Sequence, residues 1–380
     1  MEDFRYLTVR SGTCVPDEQA TGTCGLLELG ALRLLIDAGT GTLSGLLAAG
    51  VDPLDLDGVL LTHHHPDHVG ELPALLQSLA YGSAQLRQRD FFVFGGPATR
   101  ALFGCWRRFY GSWVDGRHPA TAHLPANDPA AGHPRAGHPR AGRPPADAPT
   151  AGYTVQVYEL ADQSIVDLAE ILDRAPRTIN PVLRAVRPFH TPASLAYRID
   201  VVDITPSFSA AHPAHPTGVD SAAADSAAHH PTGVDSAAGV DSHSAHHPTG
   251  VDSAADSAAD STAHHPTGVD SAAGVDSHSD SHSRRSVVFS GDTGPCESLV
   301  ELAAGADLLV VECSFPDGAA HPKHMTPDRV ARLARRAAVK KILLHHFYPQ
   351  CDPRKAAEWV AKRSRANEVA IAQNGRWIVV

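Results

Sequence analysis

The stretch Thr62-His63-His64-His65-Pro66-Asp67-His68 concentrates side chains that can do chemistry. It follows the apolar run Gly58-Val59-Leu60-Leu61, bounded by Asp57, which reads as a buried strand ending at Thr62. His63 and His65 leave that strand end on one face, because side chains two apart in extended chain point the same way. Asp67 and His68 follow Pro66, which fixes the turn. Within these six residues His63, His65, His68 and Asp67 offer three imidazoles and a carboxylate, which suit a borderline-soft dication such as zinc, a taker of nitrogen ligands and a hard oxygen. The competing reading is a polar loop with a chance run of histidines. In a chain with 24 histidines, partners elsewhere must decide between them.

Those partners need elements to carry them. Residues 26–36 read as a β-hairpin that delivers Asp37 at a strand end, ahead of Ala-Gly-Thr-Gly. An ordinary Asp-Ala-Gly turn is the alternative there. Helices are expected over 42–49, 69–80 and 97–110 and a strand over 91–94, the order of a layered α/β fold. Strands follow over 153–160, 182–186 and 194–199, with His190 between the last two. Residues 286–290 form a strand ending in Gly291-Asp292-Thr293-Gly294, and 307–313 form a buried strand. Thr326 and Pro327 start a helix reaching 338. A strand over 340–347 holds His345-His346, a helix starts at Asp352-Pro353, and 369–380 reads as a closing hairpin around Asn374-Gly375.

Composition removes two stretches from this scheme. Residues 117–151 are rich in Pro, Ala, Gly and His, and residues 209–283 repeat Asp, His, Ser and Ala; the 16 residues at 229–244 recur at 264–279. Neither can bury enough apolar surface to order itself, so both are expected to be disordered inserts. Segments 1–116, 152–208 and 284–380 then form one domain of about 270 residues. The second insert holds ten aspartates and no Lys or Arg, which accounts for the net charge of −10. The remainder is balanced, and no global field draws the protein to nucleic acid. Six cysteines without C-x-x-C spacing are expected as buried free thiols. The start lacks a basic and then apolar leader, and no apolar run approaches the ~20 residues that cross a bilayer. A soluble, cytoplasmic protein with no membrane partner is expected.

His63-x-His65-x-Asp67-His68 after a strand, followed in order by His190, Asp292 in Ser-Gly-Asp-Thr and a histidine directly before Phe347, resembles the signature of the metallo-β-lactamase superfamily of hydrolases. The resemblance spans nearly everything outside the inserts. It implies an α/β (α+β) fold, the four-layer αββα sandwich with two sheets face to face and helices outside, carrying the two disordered inserts. Position by position, it implies that His63, His65 and His190 hold one metal and Asp67, His68 and His346 a second, with Asp292 bridging. Asp37 would orient the ligand loop by hydrogen bonding. His346 fits the ligand place beside Phe347; His345 stays open as the alternative, since alternation points the two in opposite directions. His64 has no matching role. The implied cofactors are two Zn2+, with Mn2+ or Fe2+ as alternatives. A bridging carboxylate offsets the repulsion of dications roughly 3.5–4 Å apart, which turn a bridging water into hydroxide near neutral pH.

His321-Pro322-Lys323-His324-Met325-Thr326 narrows the class. His324 resembles the histidine at this place in the ribonuclease Z branch, which implies protonation or stabilisation of the leaving group, worth about 10²–10⁴ in rate. A helix-flanking surface histidine is the alternative. Asp67 would help deprotonate the attacking water. The branch thus implies a phosphodiesterase acting on a small or cyclic phosphodiester or an RNA 3′ end, and by analogy a homodimer. Two features depart from tRNA processing: the acidic repeat occupies the place of the branch's tRNA-gripping arm, and its arginine-containing N-terminal sequence is not evident in residues 12–25. Because the metals do not name the substrate, arylsulfatase-like and ester or lactone hydrolysis are rivals. A different class, a non-catalytic metal-binding protein, draws on the fifteen histidines of the inserts.

Overall fold

Alternating apolar residues build two mixed sheets whose strand ends meet at one rim. A computed structural model describes residues 4–16, 21–81, 87, 89–114, 153–172, 174–204 and 284–380. The expected disordered inserts at 117–151 and 209–283 lie outside the described residues. The first sheet contains β1 (Phe4–Ser11), β2 (Thr23–Leu29), β3 (Leu32–Ile36), β4 (Gly58–Leu60), β5 (Phe91–Gly95), β6 (Val155–Glu159) and β14 (Arg376–Val379), in the order β14-β1-β2-β3-β4-β5-β6. The second contains β7 (Ser164–Asp167), β8 (Ile179–Val186), β9 (Ala196–Asp203), β10 (Arg284–Phe289), β11 (Leu308–Glu312), β12 (Lys341–His345) and β13 (Glu368–Ile371), in the order β13-β12-β11-β10-β9-β8-β7.

The period-two pattern gives each sheet two apolar faces. Leu34 points between the sheets, where it joins Leu27, Leu60, Tyr197, Ile199, Phe289, Val310 and Leu343. Its neighbour Leu35 points outward under helices α1 (Thr42–Ala48), α3 (Leu72–Tyr81) and α4 (Thr99–Tyr110), packing with Leu46, Leu75 and Phe103. On the second sheet, Val288, Leu309 and Ile342 face α5 (Glu297–Leu302), α6 (Pro327–Ala337) and α7 (Pro353–Ser364) through Leu299, Val330 and Val360. Each fully buried aliphatic or aromatic side chain contributes about 1.5–3 kcal/mol. The result is helix, sheet, sheet, helix: the four-layer sandwich expected from the sequence. No helix among the described residues is long and apolar enough to cross a membrane.

Three local expectations differ. The helix expected over 69–80 is two pieces, α2 (Pro66–Val69) and α3. Ala38 N–H takes the carbonyl of His68, and Glu71 N–H donates to Ala38 O, so the chain is tied to the exit of β3 where the helix would continue. The closing hairpin does not form: β13 pairs parallel with β12, while β14 pairs antiparallel with β1 in the other sheet. Asn374-Gly375 is therefore a corner between sheets, with Gly375 at φ 78°. The cysteines are free, but only Cys24, Cys313 and Cys351 are buried; Cys14 and Cys105 are exposed and Cys296 is intermediate.

Candidate metal centre

Strands β3, β4, β10, β11 and β12 end at the same rim, and the loops leaving them carry the reactive side chains. His63, His65, His190 and Asp292 present ligand atoms within 4.8 Å of one another, as do Asp67, His68 and His346. The two oxygens of Asp292 divide between the groups: Oδ2 lies 3.9 Å from His63 Nε2, and Oδ1 lies 3.5 Å from both His68 Nε2 and His346 Nε2. Asp67 Oδ2 closes the second group at 3.4 Å from His346 Nε2 and 3.7 Å from His68 Nε2. Atoms bound about 2.0–2.2 Å from a tetrahedral ion sit roughly 3.3–3.6 Å apart, close to these spacings. His63 Nε2, His68 Nε2 and Asp292 Oδ1 are buried with no hydrogen-bond partner. Such atoms cost about 1–3 kcal/mol each when left unsatisfied, and a dication would satisfy all three. The donor set and its orphaned atoms fit a divalent metal centre.

The imidazoles are aimed by what holds their other nitrogen. His68 Nδ1–H donates to Asp37 Oδ2 at 2.7 Å, and the same carboxylate accepts Thr62 N–H at 2.7 Å and Thr62 Oγ1–H at 2.8 Å. Thr62 Oγ1 lies 3.1 Å from His63 Nδ1. His190 Nδ1–H donates to the carbonyl of Lys323 at 3.2 Å, and Ser314 Oγ lies 3.1 Å from His346 Nδ1. In each case the Nε2 edge is left to face the group. Two site residues adopt left-handed backbone, Asp37 at φ 61° and His346 at φ 57°. Such conformations cost on the order of 1–3 kcal/mol and persist where surroundings over-determine them. Gly291, at φ 55°, has no such cost, and a Cβ there would lie 2.7 Å from Thr62 Cβ.

Burial holds the His63 imidazole far below its ordinary value and brings His190 down to about 4. Both are thus neutral nitrogen donors at neutral pH, the form a metal takes. For Asp292, burial acts against ionisation, but His346, His68 and His63 outweigh it and hold the carboxyl well below its usual range. At His68 burial is likewise overcome, by Asp292 and Asp37, and the imidazole rises to about 9. His64 stands apart, 2.9 Å from Thr99 Oγ1. His345 points away into a buried position, where burial lowers it to about 3, and it belongs to neither group.

His324 is 9% exposed, not a free surface histidine. Its ligand atom groups with those of Asp292 and His346, and its Nδ1–H faces Glu312 Oε1 at 3.1 Å. Burial lowers the imidazole, and Glu312 more than reverses that. Glu312 is a fully buried carboxylate that sequence reasoning did not assign. It also accepts Thr293 N–H at 2.6 Å and the Ser314 hydroxyl. The available signal was a carboxylate closing an otherwise apolar strand, Leu308–Glu312.

Two face-to-face mixed sheets with a histidine- and aspartate-lined rim define a metallo-β-lactamase-fold protein. Residues 19–85 match the metallo-beta-lactamase superfamily and residues 261–347 match a beta-lactamase superfamily domain. Among curated relatives, a ribonuclease Z of Ignicoccus hospitalis is 52% identical over 68 residues, 17% of this chain and 23% of the relative. A ribonuclease Z of Bradyrhizobium diazoefficiens is 36% identical over 125 residues, 32% of this chain and 39% of the relative. The matched segments therefore span less than half the length of these relatives. The metallo-beta-lactamase fold protein YhfI of Bacillus subtilis superposes with a TM-score of 0.57 at 14% identity, covering 100% of this chain and 99% of that one. Human tRNase Z, short form, superposes with a TM-score of 0.53 at 16% identity, covering 99% of each chain. These likenesses establish the fold.

Proposed function

We propose that the protein is a two-metal phosphodiesterase of the ribonuclease Z-like kind, acting on a small or cyclic phosphodiester or an RNA 3′ end. The observation that carries the reading is the meeting of His63, His65, His190 and Asp292 with Asp67, His68 and His346, beside the His324–Glu312 pair. The first three histidines would hold one ion and Asp67, His68 and His346 the other, with Asp292 shared; zinc suits this nitrogen-rich set best. Bound there, the ions would supply Lewis-acid polarisation and charge neutralisation for attack of water on phosphorus.

The chain's own groups do the rest. Asp67, at 8% exposure the part of the second group that reaches solvent, accepts a proton from the attacking water. His324, with Nδ1 committed to Glu312, has Nε2 to donate a proton to the leaving oxygen. Asp37, Thr62 and Ser314 fix the imidazoles so that no reorganisation is needed during the reaction. The ribonuclease Z names of the relatives favour a phosphodiester over a sulfate or carboxylic ester.

The test uses the full-length protein. Bound metals are counted by elemental analysis, and turnover is measured on bis(p-nitrophenyl) phosphate beside p-nitrophenyl sulfate and p-nitrophenyl acetate. Two equivalents of divalent metal with diesterase activity lost in Asp292→Asn is the expected result. Turnover confined to the sulfate or the acetate would remove the phosphodiesterase reading.

A further inference from the structure

Beside the candidate metal centre, Phe315 and Tyr348 lie ring on ring, 4.8 Å between centroids and 16° between planes. Both are partly exposed, and neither belongs to the three apolar clusters of the sandwich. They form a wall standing nearly upright against the site. His324 meets Phe315 at 5.5 Å and 66°, and His346 meets Tyr348 at 5.7 Å and 72°. The wall is fixed from behind. Tyr348 N–H donates to Ser314 O at 3.1 Å, Phe315 N–H donates to Met325 O at 3.3 Å, and Cys14 Sγ lies 3.2 Å from the Tyr348 hydroxyl.

Neither ring is needed to hold a metal or move the protons described above, and the pair is not buried as a core pair would be. Partly exposed, pre-positioned rings beside a phosphodiester site fit a substrate with a flat π face close to its phosphorus. A nucleotide has that shape, and bases stack on aromatic side chains. We infer that Phe315 and Tyr348 are the base-binding wall of this site, so that its substrates are nucleoside phosphodiesters. The inference rests on the phosphodiesterase reading for its phosphate half. Every base offers a π face, so the wall selects nucleotides over sugar or lipid phosphodiesters without choosing among bases.

Equilibrium binding tests it without turnover. Titration calorimetry on the metal-loaded full-length protein compares adenosine 5′-monophosphate with ribose 5-phosphate, which has the same phosphate and sugar with a hydroxyl in place of the base. The nucleotide should bind roughly 5- to 150-fold more tightly, the range for one base stacked on an aromatic side chain. Tyr348→Leu and Phe315→Leu should collapse that ratio and leave ribose 5-phosphate binding unchanged. Tyr348→Phe keeps the ring and should keep the ratio. Equal binding of the two phosphates by the native protein, or a preference that survives both leucine variants, overturns the inference. A ring-dependent preference in a protein without diesterase activity would uphold the wall and sink the proposed reaction; diesterase activity without the preference would do the reverse.

Discussion

Replacing Asp37 by Asn should separate metal binding from folding. The carboxylate is 1% exposed and accepts from Thr62 N, Thr62 Oγ1 and His68 Nδ1. Alanine there would orphan the buried Thr62 N–H and His68 Nδ1–H, at about 1–3 kcal/mol each, and would place a poorly suited residue at φ 61°. The two donors together cost about 2–6 kcal/mol, a large share of an ordinary domain's stability of about 5–15 kcal/mol, so Asp37→Ala would mix unfolding with metal loss. Asn has the same shape, tolerates left-handed backbone and still offers an oxygen to Thr62 N–H. Its amide nitrogen, however, would face His68 Nδ1 as a donor. His68 would then accept at Nδ1 and carry its proton on Nε2, the edge aimed at Asp67 and Asp292. Loss of such an orienting partner typically weakens metal affinity 10–100-fold. Competition with a chelator, followed by metal analysis, should show one equivalent released at 10–100-fold lower chelator concentration than in the native protein. The other equivalent should be unmoved, and the denaturation midpoint of the metal-free protein should fall only slightly. Identical release curves for native protein and Asp37→Asn would refute the tautomer argument.

Glu312→Gln should act on His324 by the same logic, lowering turnover of diesters with alkoxide leaving groups by about 10²–10⁴ and sparing those with p-nitrophenolate, which departs unaided. Steady-state rates across leaving groups check this, and a uniform loss would count against proton donation. His346→Ala should cost one metal equivalent and His345→Ala none, because only His346 faces the second group; elemental analysis of the two variants decides between them. Gly291→Ala forces a Cβ within 2.7 Å of Thr62 Cβ at φ 55° and should destabilise the fold by about 1–3 kcal/mol, read as a shifted denaturant midpoint.

Much of this site was legible because its residues sit at strand ends, where type and order in the chain survive without tertiary information. His63, His65, Asp67 and His68 lie within one turn of β4, and His190, Asp292 and His346 each follow an apolar run that reads as a strand. Glu312 was missed because the sequence places it in a buried strand, 307–313, without showing which donors meet its carboxylate. Only the packing of Thr293, Ser314 and His324 around it shows that it is a buried acceptor. Ser314 was missed for the same reason. The break between α2 and α3 and the parting of β13 from β14 had another cause. Both depend on which backbone groups and sheet edges the rest of the chain leaves free, which no local window contains.

The site also explains why the two sheets must stay in register. β3 and β4 of the first sheet deliver Asp37, His63, His65, Asp67 and His68; β10, β11 and β12 of the second deliver Asp292, Glu312 and His346. Asp292 and His346 meet Asp67 and His68 only because Leu34, Leu60, Phe289, Val310 and Leu343 pack between the sheets a few residues behind them. A shift of one sheet against the other would separate the ligand groups while leaving each strand intact. Metal held at Asp292 would oppose that shift, since it draws on both sheets at once. Core packing and metal affinity are therefore coupled through Asp292, the residue with one oxygen toward each group.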